Sequence, residues 1–178
     1  VRAAYQYYTI QTTIQPGDLV INEVMSNNIS TVTDNSGKHE DWIELYNTTA
    51  SNISTGGLYL SDDPNNLNKW PMPDVVIPSD DYLIVWADED SQQSGLHANF
   101  KLSSFGESIL LSYVDSTIID SVSFSTQSTD ISYARSPNGT GPFIYMIPSF
   151  NANNDFAGIT KDNDPKEFIY YPNPVSDQ

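Results

Sequence analysis

The residues best suited to chemistry lie in HEDWIELYN (39–47), where Glu40, Asp41 and Glu44 stand beside Trp42 and Tyr46. Carboxylates next to aromatics serve sugar-cleaving sites and metal sites, or are simply the two faces of one strand. Period-two alternation places Asp41, Ile43, Leu45 and Asn47 on one face and Trp42, Glu44 and Tyr46 on the other. Ile43 and Leu45 then point to the core, Asp41 sits at the rim, and Trp42 and Tyr46 flank Glu44. Glycoside hydrolysis needs two carboxyl groups roughly 5–9 Å apart across a cleft. Asp41 and Glu44 face opposite ways and cannot be that pair, and nothing in the sequence marks Glu23 as a distant partner. Glu44 is therefore expected to be a solvated or hydrogen-bonded strand carboxylate.

Oxygen-rich clusters recur at Asp34-Asn35-Ser36-Gly37, Asp62-Asp63, Asp80-Asp81, Asp88-Glu89-Asp90 and Asp162-Asn163-Asp164. Calcium takes about six to eight oxygens, often from loops at one end of a sandwich. That makes Asp62, Asp63, Asp88 and Asp90 candidate calcium ligands. None of the clusters matches the helix-loop-helix calcium loop, and ordinary turn chemistry accounts for Asp and Asn at such positions more simply. His39 and His97 lack metal-ligand spacing, and His97, in GLHANFKL, is expected to be structural. Neither a nucleophile elbow nor a phosphate-binding glycine loop is present, so the sequence carries no enzyme signature. Asn-x-Ser/Thr triplets occur at Asn28, Asn47, Asn52 and Asn138, as expected by chance in an Asn- and Ser-rich chain. Asp115-Ser116-Thr117 resembles the D-S/T-x O-glycosylation sequon of Bacteroidetes-type secreted proteins, as does Asp120-Ser121-Val122. Ser116, at an expected hairpin tip, is the better acceptor of the two.

These groups must be positioned by strands. DLVINEVMS (18–26), DWIELYN (41–47), GLYLSD (57–62), DYLIVWAD (81–88), ESILLSYV (107–114), TIIDSVSF (117–124), ISYAR (131–135) and PFIYMI (142–147) are short β-type runs bounded by turn residues. No segment shows a sustained helical period with caps, so essentially no helix is expected. Runs at this spacing imply a two-sheet sandwich or a barrel. DYLIVWAD, the most apolar, should be a central strand. ESILLSYV and TIIDSVSF should form a hairpin with Asp115 and Ser116 as its tight turn and Leu111 and Ile119 near its centre. DDPNNLN (62–68) and PNGTGP (137–142) should be a loop and a turn. The chain divides into an N-terminal extension or edge strand (1–16), the sandwich (17–155), and a polar, Asn- and Asp-rich linker (156–178) whose composition begins to shift near residue 150.

Composition bounds the function. The 178 residues carry seven basic and 23 acidic side chains, a formal net charge of −16, which repels phosphate backbones and anionic membranes. Nucleic acid is thereby disfavoured as a partner. Apolar residues make up 38% of the chain, enough for one core, and there is no cysteine, so neither disulfides nor thiolate metal sites contribute. No apolar run is long enough to cross a membrane as a helix. The start, VRAAYQYYTIQTT, lacks a signal-peptide layout and is expected to be a cut inside a longer chain or the product of processing.

In order along residues 17–150, VINEVMSNN (20–28), DWIELYN, GLYLSDD (57–63), KWPMP (69–73), DYLIVWAD, HANFKLSSFGESILL (97–111), IIDSVSF (118–124) and DISYARSPNG (130–139) resemble the lamin-tail domain in its bacterial form. PSFNANN (148–154) resembles the closing segment of that family. The resemblance implies an immunoglobulin-like antiparallel two-sheet sandwich, in which Trp42 and the apolar positions of DWIELYN determine the fold. It implies a non-catalytic accessory or tethering module of a larger secreted protein, since bacterial relatives often stand beside hydrolase or adhesion domains. Asn22, Glu23, Asp41, Glu44 and Asn47 match recurring polar positions and are expected to hydrogen-bond to one another as structural glue. EFIYYPNPVSDQ (167–178), with YPNP at 171–174, resembles the opening of a type IX secretion sorting tail, which would place the protein outside a Bacteroidetes-type cell. Such tails run further than Gln178, which implies a shortened chain. The partner would be a protein or a cell-envelope glycan, with no cofactor needed. The competing expectation is a calcium-dependent adhesive or carbohydrate-binding module, with Trp70 or Tyr59 as a stacking platform beside the acidic loops.

Overall fold

The computed structural model describes residues 10–11, 13–156, 159–160 and 168–169, and each of the eight apolar runs forms a strand there. In chain order the strands are β1 (Ile10–Gln11), β2 (Leu19–Met25), β3 (Trp42–Asn47), β4 (Asn52–Ser54), β5 (Leu58–Ser61), β6 (Trp70–Pro71), β7 (Val76–Ile77) and β8 (Tyr82–Ala87). They continue as β9 (His97–Ala98), β10 (Gly106–Tyr113), β11 (Ile118–Ser125), β12 (Ser132–Arg135), β13 (Phe143–Met146), β14 (Ile159–Thr160) and β15 (Phe168–Ile169). A single 3₁₀ turn spans Asn154–Phe156.

The large sheet runs β15-β14-β13-β12-β2-β3-β8-β9, the second sheet β11-β10-β5-β6, and a small third sheet β1-β4-β7. Side chains from all three meet in one core. β2, β3 and β8 supply Ile21, Val24, Ile43, Leu45 and Val85, and β5 and β10 supply Leu58, Leu60, Ile109 and Leu111. Ile53 and Ile77 come from β4 and β7. Fully burying one such aliphatic side chain contributes about 1.5–3 kcal/mol. This is an all-β, immunoglobulin-like sandwich.

DYLIVWAD is not the central strand. β8 is next to the edge, with only the two-residue β9 beyond it, and its first half is partly exposed. The centre is β2, buried along its whole length, paired with β3 on one side and β12 on the other. The unbroken apolar run in β8 has another cause. Leu83 and Val85 face the main core, while Ile84 and Trp86 join a second, smaller apolar cluster with Met25, Trp42, Val32 and Phe150.

The β10–β11 hairpin forms with a turn one residue longer than expected. Tyr113 and Thr117 close it (N to O, 2.9 Å), and the register shifts by one residue after Leu111, which pairs with Asp120. Ser116 takes a left-handed φ of 66° and is exposed. Of the expected N-terminal extension, Ile10–Gln11 pairs in parallel with β4, and residues 1–9 lie outside the described residues. Within the expected linker, β14 pairs with β13 and β15 with β14. The YPNP tetrapeptide and the 162–164 cluster lie outside the described residues.

Candidate functional site

Strict alternation along β2 would send Asn22 and Glu23 to opposite faces. A bulge prevents this. Ile21 pairs with Leu45 and Glu23 with Glu44, so Asn22 has no opposite residue. The phase of the strand flips across it: Ile21 and Val24, three residues apart, both face the main core, while Met25 turns to the outer cluster. Asn22 and Glu23 thereby share the outer face with Glu44. The bulge is pinned from the other sheet, because Asp120 of β11 accepts from the Ile21 amide at 2.8 Å. Arg135 of β12 bonds Asp120 and donates to the Ile21 carbonyl at 2.9 Å.

A polar cluster assembles on that face, and residues 148–155 lie over it as a strap. Glu23 Oε1 accepts from Ser132 Oγ at 2.5 Å and from the Ser149 amide at 3.1 Å. Glu23 Oε2 lies 2.6 Å from Ser149 Oγ and accepts from the Phe150 amide at 3.3 Å. Glu44 Oε1 accepts from Asn22 Nδ2 at 2.8 Å and Oε2 from the Asn151 amide at 2.6 Å. Asn22 Oδ1 accepts from the Gly139 amide at 2.9 Å. Only glycine fits there, because its φ is 70° and a Cβ would lie 2.7 Å from the Tyr46 ring. Asn154 donates to the carbonyls of Asn22 and Arg135 at 3.2 and 2.9 Å.

Both carboxylates have zero exposure. Burial pushes the Glu23 carboxyl up from its ordinary value. Burial, with the Glu23 charge adding, pushes Glu44 up to about 8. Of the two expectations for Glu44, a solvated or a hydrogen-bonded strand carboxylate, the structure shows the second, because the strap removes it from water. Phe150 pins the strap: its ring lies edge-on to Trp42 at 5.1 Å and tilted against Trp86 at 5.7 Å. It does so at a φ of 44°, an uncommon conformation for a bulky side chain, followed by Asn151 at 57°. In this conformation the two neighbouring amides serve different carboxyl groups, Phe150 that of Glu23 and Asn151 that of Glu44.

Two adjacent carboxyl groups are the raw material of a glycosidase, but these are sealed and saturated with protein donors, with no cleft between them for a sugar. The other expected polar positions lie at the two ends of β3, Asp41 just before it and Asn47 as its last residue. Asp41, at the strand's start, accepts from the Asn28 amide at 3.4 Å, and burial pushes its carboxyl up to about 7. Asn47, at the other end, is buried and donates to the carbonyls of Ser51, Ile77 and Pro78. The structure therefore joins Asn22, Glu23 and Glu44 and separates Asp41 and Asn47 from them. It adds Ser132, Asn138, Ser149, Phe150 and Asn154, which fall in the family-like segments DISYARSPNG and PSFNANN but were not marked as site residues by the sequence.

The calcium candidates are not brought together. Asp62 pairs with Lys69 at 2.7 Å and Asp63 accepts from the Asn65 amide at 2.8 Å within its own loop. Asp88 is buried against His97 Nδ1 at 2.8 Å, and Asp90 accepts from Gln93 at 2.7 Å. Among the described residues no group of three or more His, Asp or Glu side chains is arranged to hold a metal ion. Trp70 is no platform: at 8% exposure it is part of the main core, because β6 pairs with β5 and turns the ring inward. Tyr59 is half-buried between Pro71 and Ser112.

A model of the family described as Lamin Tail Domain matches residues 12–126, well over half of the chain. No curated protein matches the chain significantly. The matched segment ends before β12, β13 and the strap, which supply the upper half of the polar cluster.

Proposed function

We propose that the chain, which belongs to the lamin tail domain family, works as a non-catalytic interaction or tethering module within a larger secreted or cell-surface protein. The family is a non-enzymatic, immunoglobulin-like domain, and this chain spends its chemically promising groups on its own fold. The carrying observation is the fate of Glu23 and Glu44, the two carboxyl groups that face each other: both are closed off by hydrogen bonds to the strap and strands. A fold alone does not specify a ligand, so the partner is proposed by setting. The tail resemblance of EFIYYPNPVSDQ supports export from a Bacteroidetes-type cell, and the charge of −16 disfavours nucleic acid as the thing bound. A neighbouring protein or a cell-envelope glycan is the remaining class, and the exposed Ser116 in Asp115-Ser116-Thr117 is a proposed O-glycan acceptor on the same exported surface.

Deleting residues 17–155 from the parent protein and following it by cell fractionation tests the proposal. Loss of the parent from the cell surface, with its other activities intact, is the expected outcome. Unchanged surface retention would remove the tethering role, and hydrolysis of a glycan by the isolated chain would remove the non-catalytic one.

A further inference from the structure

The hydroxyl of Ser149 stands between two acceptors. Its Oγ is 2.6 Å from Glu23 Oε2 and 2.7 Å from Asn154 Oδ1. Asn154 cannot be turned round to donate from that position, because its amide nitrogen serves the carbonyls of Asn22 and Arg135. A serine hydroxyl has one proton and cannot donate to both oxygens. The arrangement closes if Glu23 Oε2 carries a proton and donates it to Ser149 Oγ, which in turn donates to Asn154 Oδ1.

The surroundings fit a protonated acid. Glu23 lies directly opposite Glu44 across the β2–β3 ladder, on the same face, and both are fully buried. Their side-chain and backbone partners, Asn22, Ser132, Ser149, Phe150 and Asn151, are all neutral. Around them, β3 and β8 bring the stacked phenols of Tyr46 and Tyr82, with Asp80 at the Tyr46 hydroxyl. The strap itself brings Asp155, which accepts from the Asn138 amide. β12 brings a cation, Arg135, but its guanidinium is engaged by Asp120 and by the Ile21 and Gly141 carbonyls. Among the described residues, two negative charges placed face to face here would have no counter-ion, and a buried unpaired charge is costly.

We propose that residues 148–155 form a proton-dependent latch, clamped over the Trp42–Trp86 face while Glu23 is protonated and lifted from it when Glu23 and Glu44 are both charged. Loss of the Glu23 proton turns the Ser149 hydroxyl toward the carboxylate and leaves Asn154 Oδ1 without its donor. It also sets two carboxylates in repulsion beneath the strap. Phe150 holds a strained φ against the Trp pair, so the strap leaves along a path that relieves strain. The upward displacement of both carboxyls, Glu44 to about 8, places the transition on the alkaline side of neutrality.

Amide hydrogen exchange on the whole chain tests this, at about pH 6 and about pH 9, with intrinsic rates divided out and the β2–β3 ladder as internal reference. Amides 149–152 should lose roughly tenfold or more of their protection at the higher pH while the ladder keeps its own, a tenfold loss being about 1.4 kcal/mol of local opening. Glu23→Gln supplies an amide donor where the acid proton sits. It should hold the strap closed at both pH values. Equal changes in strap and ladder in the unmodified protein would overturn the latch, whether or not the variant folds. So would an undiminished pH response in a folded Glu23→Gln protein.

Discussion

Carboxylates in the loops and carboxylates on the outer face of β2 and β3 share one chemistry and meet opposite surroundings. Asp63 and Asp90 sit nearer water and are satisfied within a few residues by a backbone amide or a glutamine, and the half-buried Asp62 by the ammonium of Lys69. Glu23 and Glu44 lie in the middle of the sheet, with no cation beside them among the described residues, and reach partners more than a hundred residues away. The loop groups are replaceable because water can take over their hydrogen bonds. The buried pair is not, because each donor it releases is stranded in the interior.

The sharpest test of that contrast is truncation on each side. Glu23→Ala leaves donors on Ser132, Ser149 and Phe150 buried and unpaired, and should cost about 3 kcal/mol or more in a urea titration. Asp63→Ala should stay within about 0.5 kcal/mol. Similar midpoints for the two variants would erase the distinction.

Next in size is the strap's apolar anchor. Phe150→Ala gives up the contacts with Trp42 and Trp86 and should cost about 2 kcal/mol, less than a fully buried phenylalanine because the ring is half-exposed. Tryptophan fluorescence should shift red in the same variant. An unaltered spectrum would mean that the strap does not depend on this ring.

The pH dependence of stability has a definite sign. Glu44 is pushed up to about 8 from an ordinary 4.5, so the folded state binds a proton that the unfolded chain releases. Its contribution is whole below the ordinary value and fades as pH rises through about 8. Asp41, pushed up to about 7, acts in the same direction. The melting temperature should therefore fall between about pH 5 and pH 9, and Glu23→Gln should flatten part of that fall. A melt that rises toward pH 9 would contradict the buried, uncompensated state of these groups.

The smallest expected effect belongs to the loops. Melting in EDTA and in millimolar calcium should coincide. A folded-state site at a hundred times its dissociation constant would instead add about 2.7 kcal/mol, or about 5–11 °C for a domain of this size. Such a rise would give the loop carboxylates a shared purpose and revive the adhesive alternative.

Much of the fold was legible in the sequence because strand propensity and turn residues are local. The eight apolar runs, the hairpin and the inward direction of Ile43 and Leu45 all follow from residues near one another in the chain. The misplacements have a common cause. DYLIVWAD looked central because it is apolar on both faces, but its outer face is covered by Trp42 and Phe150 rather than by another sheet. Trp70 looked free because a two-residue strand carries too little pattern to fix its direction.

Residue types alone determined that this chain is all-β, a two-sheet sandwich or a barrel, strongly acidic and without cysteine chemistry, and the lamin-tail resemblance chose the sandwich. Only the tertiary structure decided that Asn22, Glu23 and Glu44 form one site. A bulge changes the parity of β2 without leaving a mark in residue type, and the strap that buries the site arrives from residues 148–155. Alternation is a property of neighbours along the chain, whereas burial, and the proton chemistry that burial imposes, belongs to whichever segment comes to rest on top.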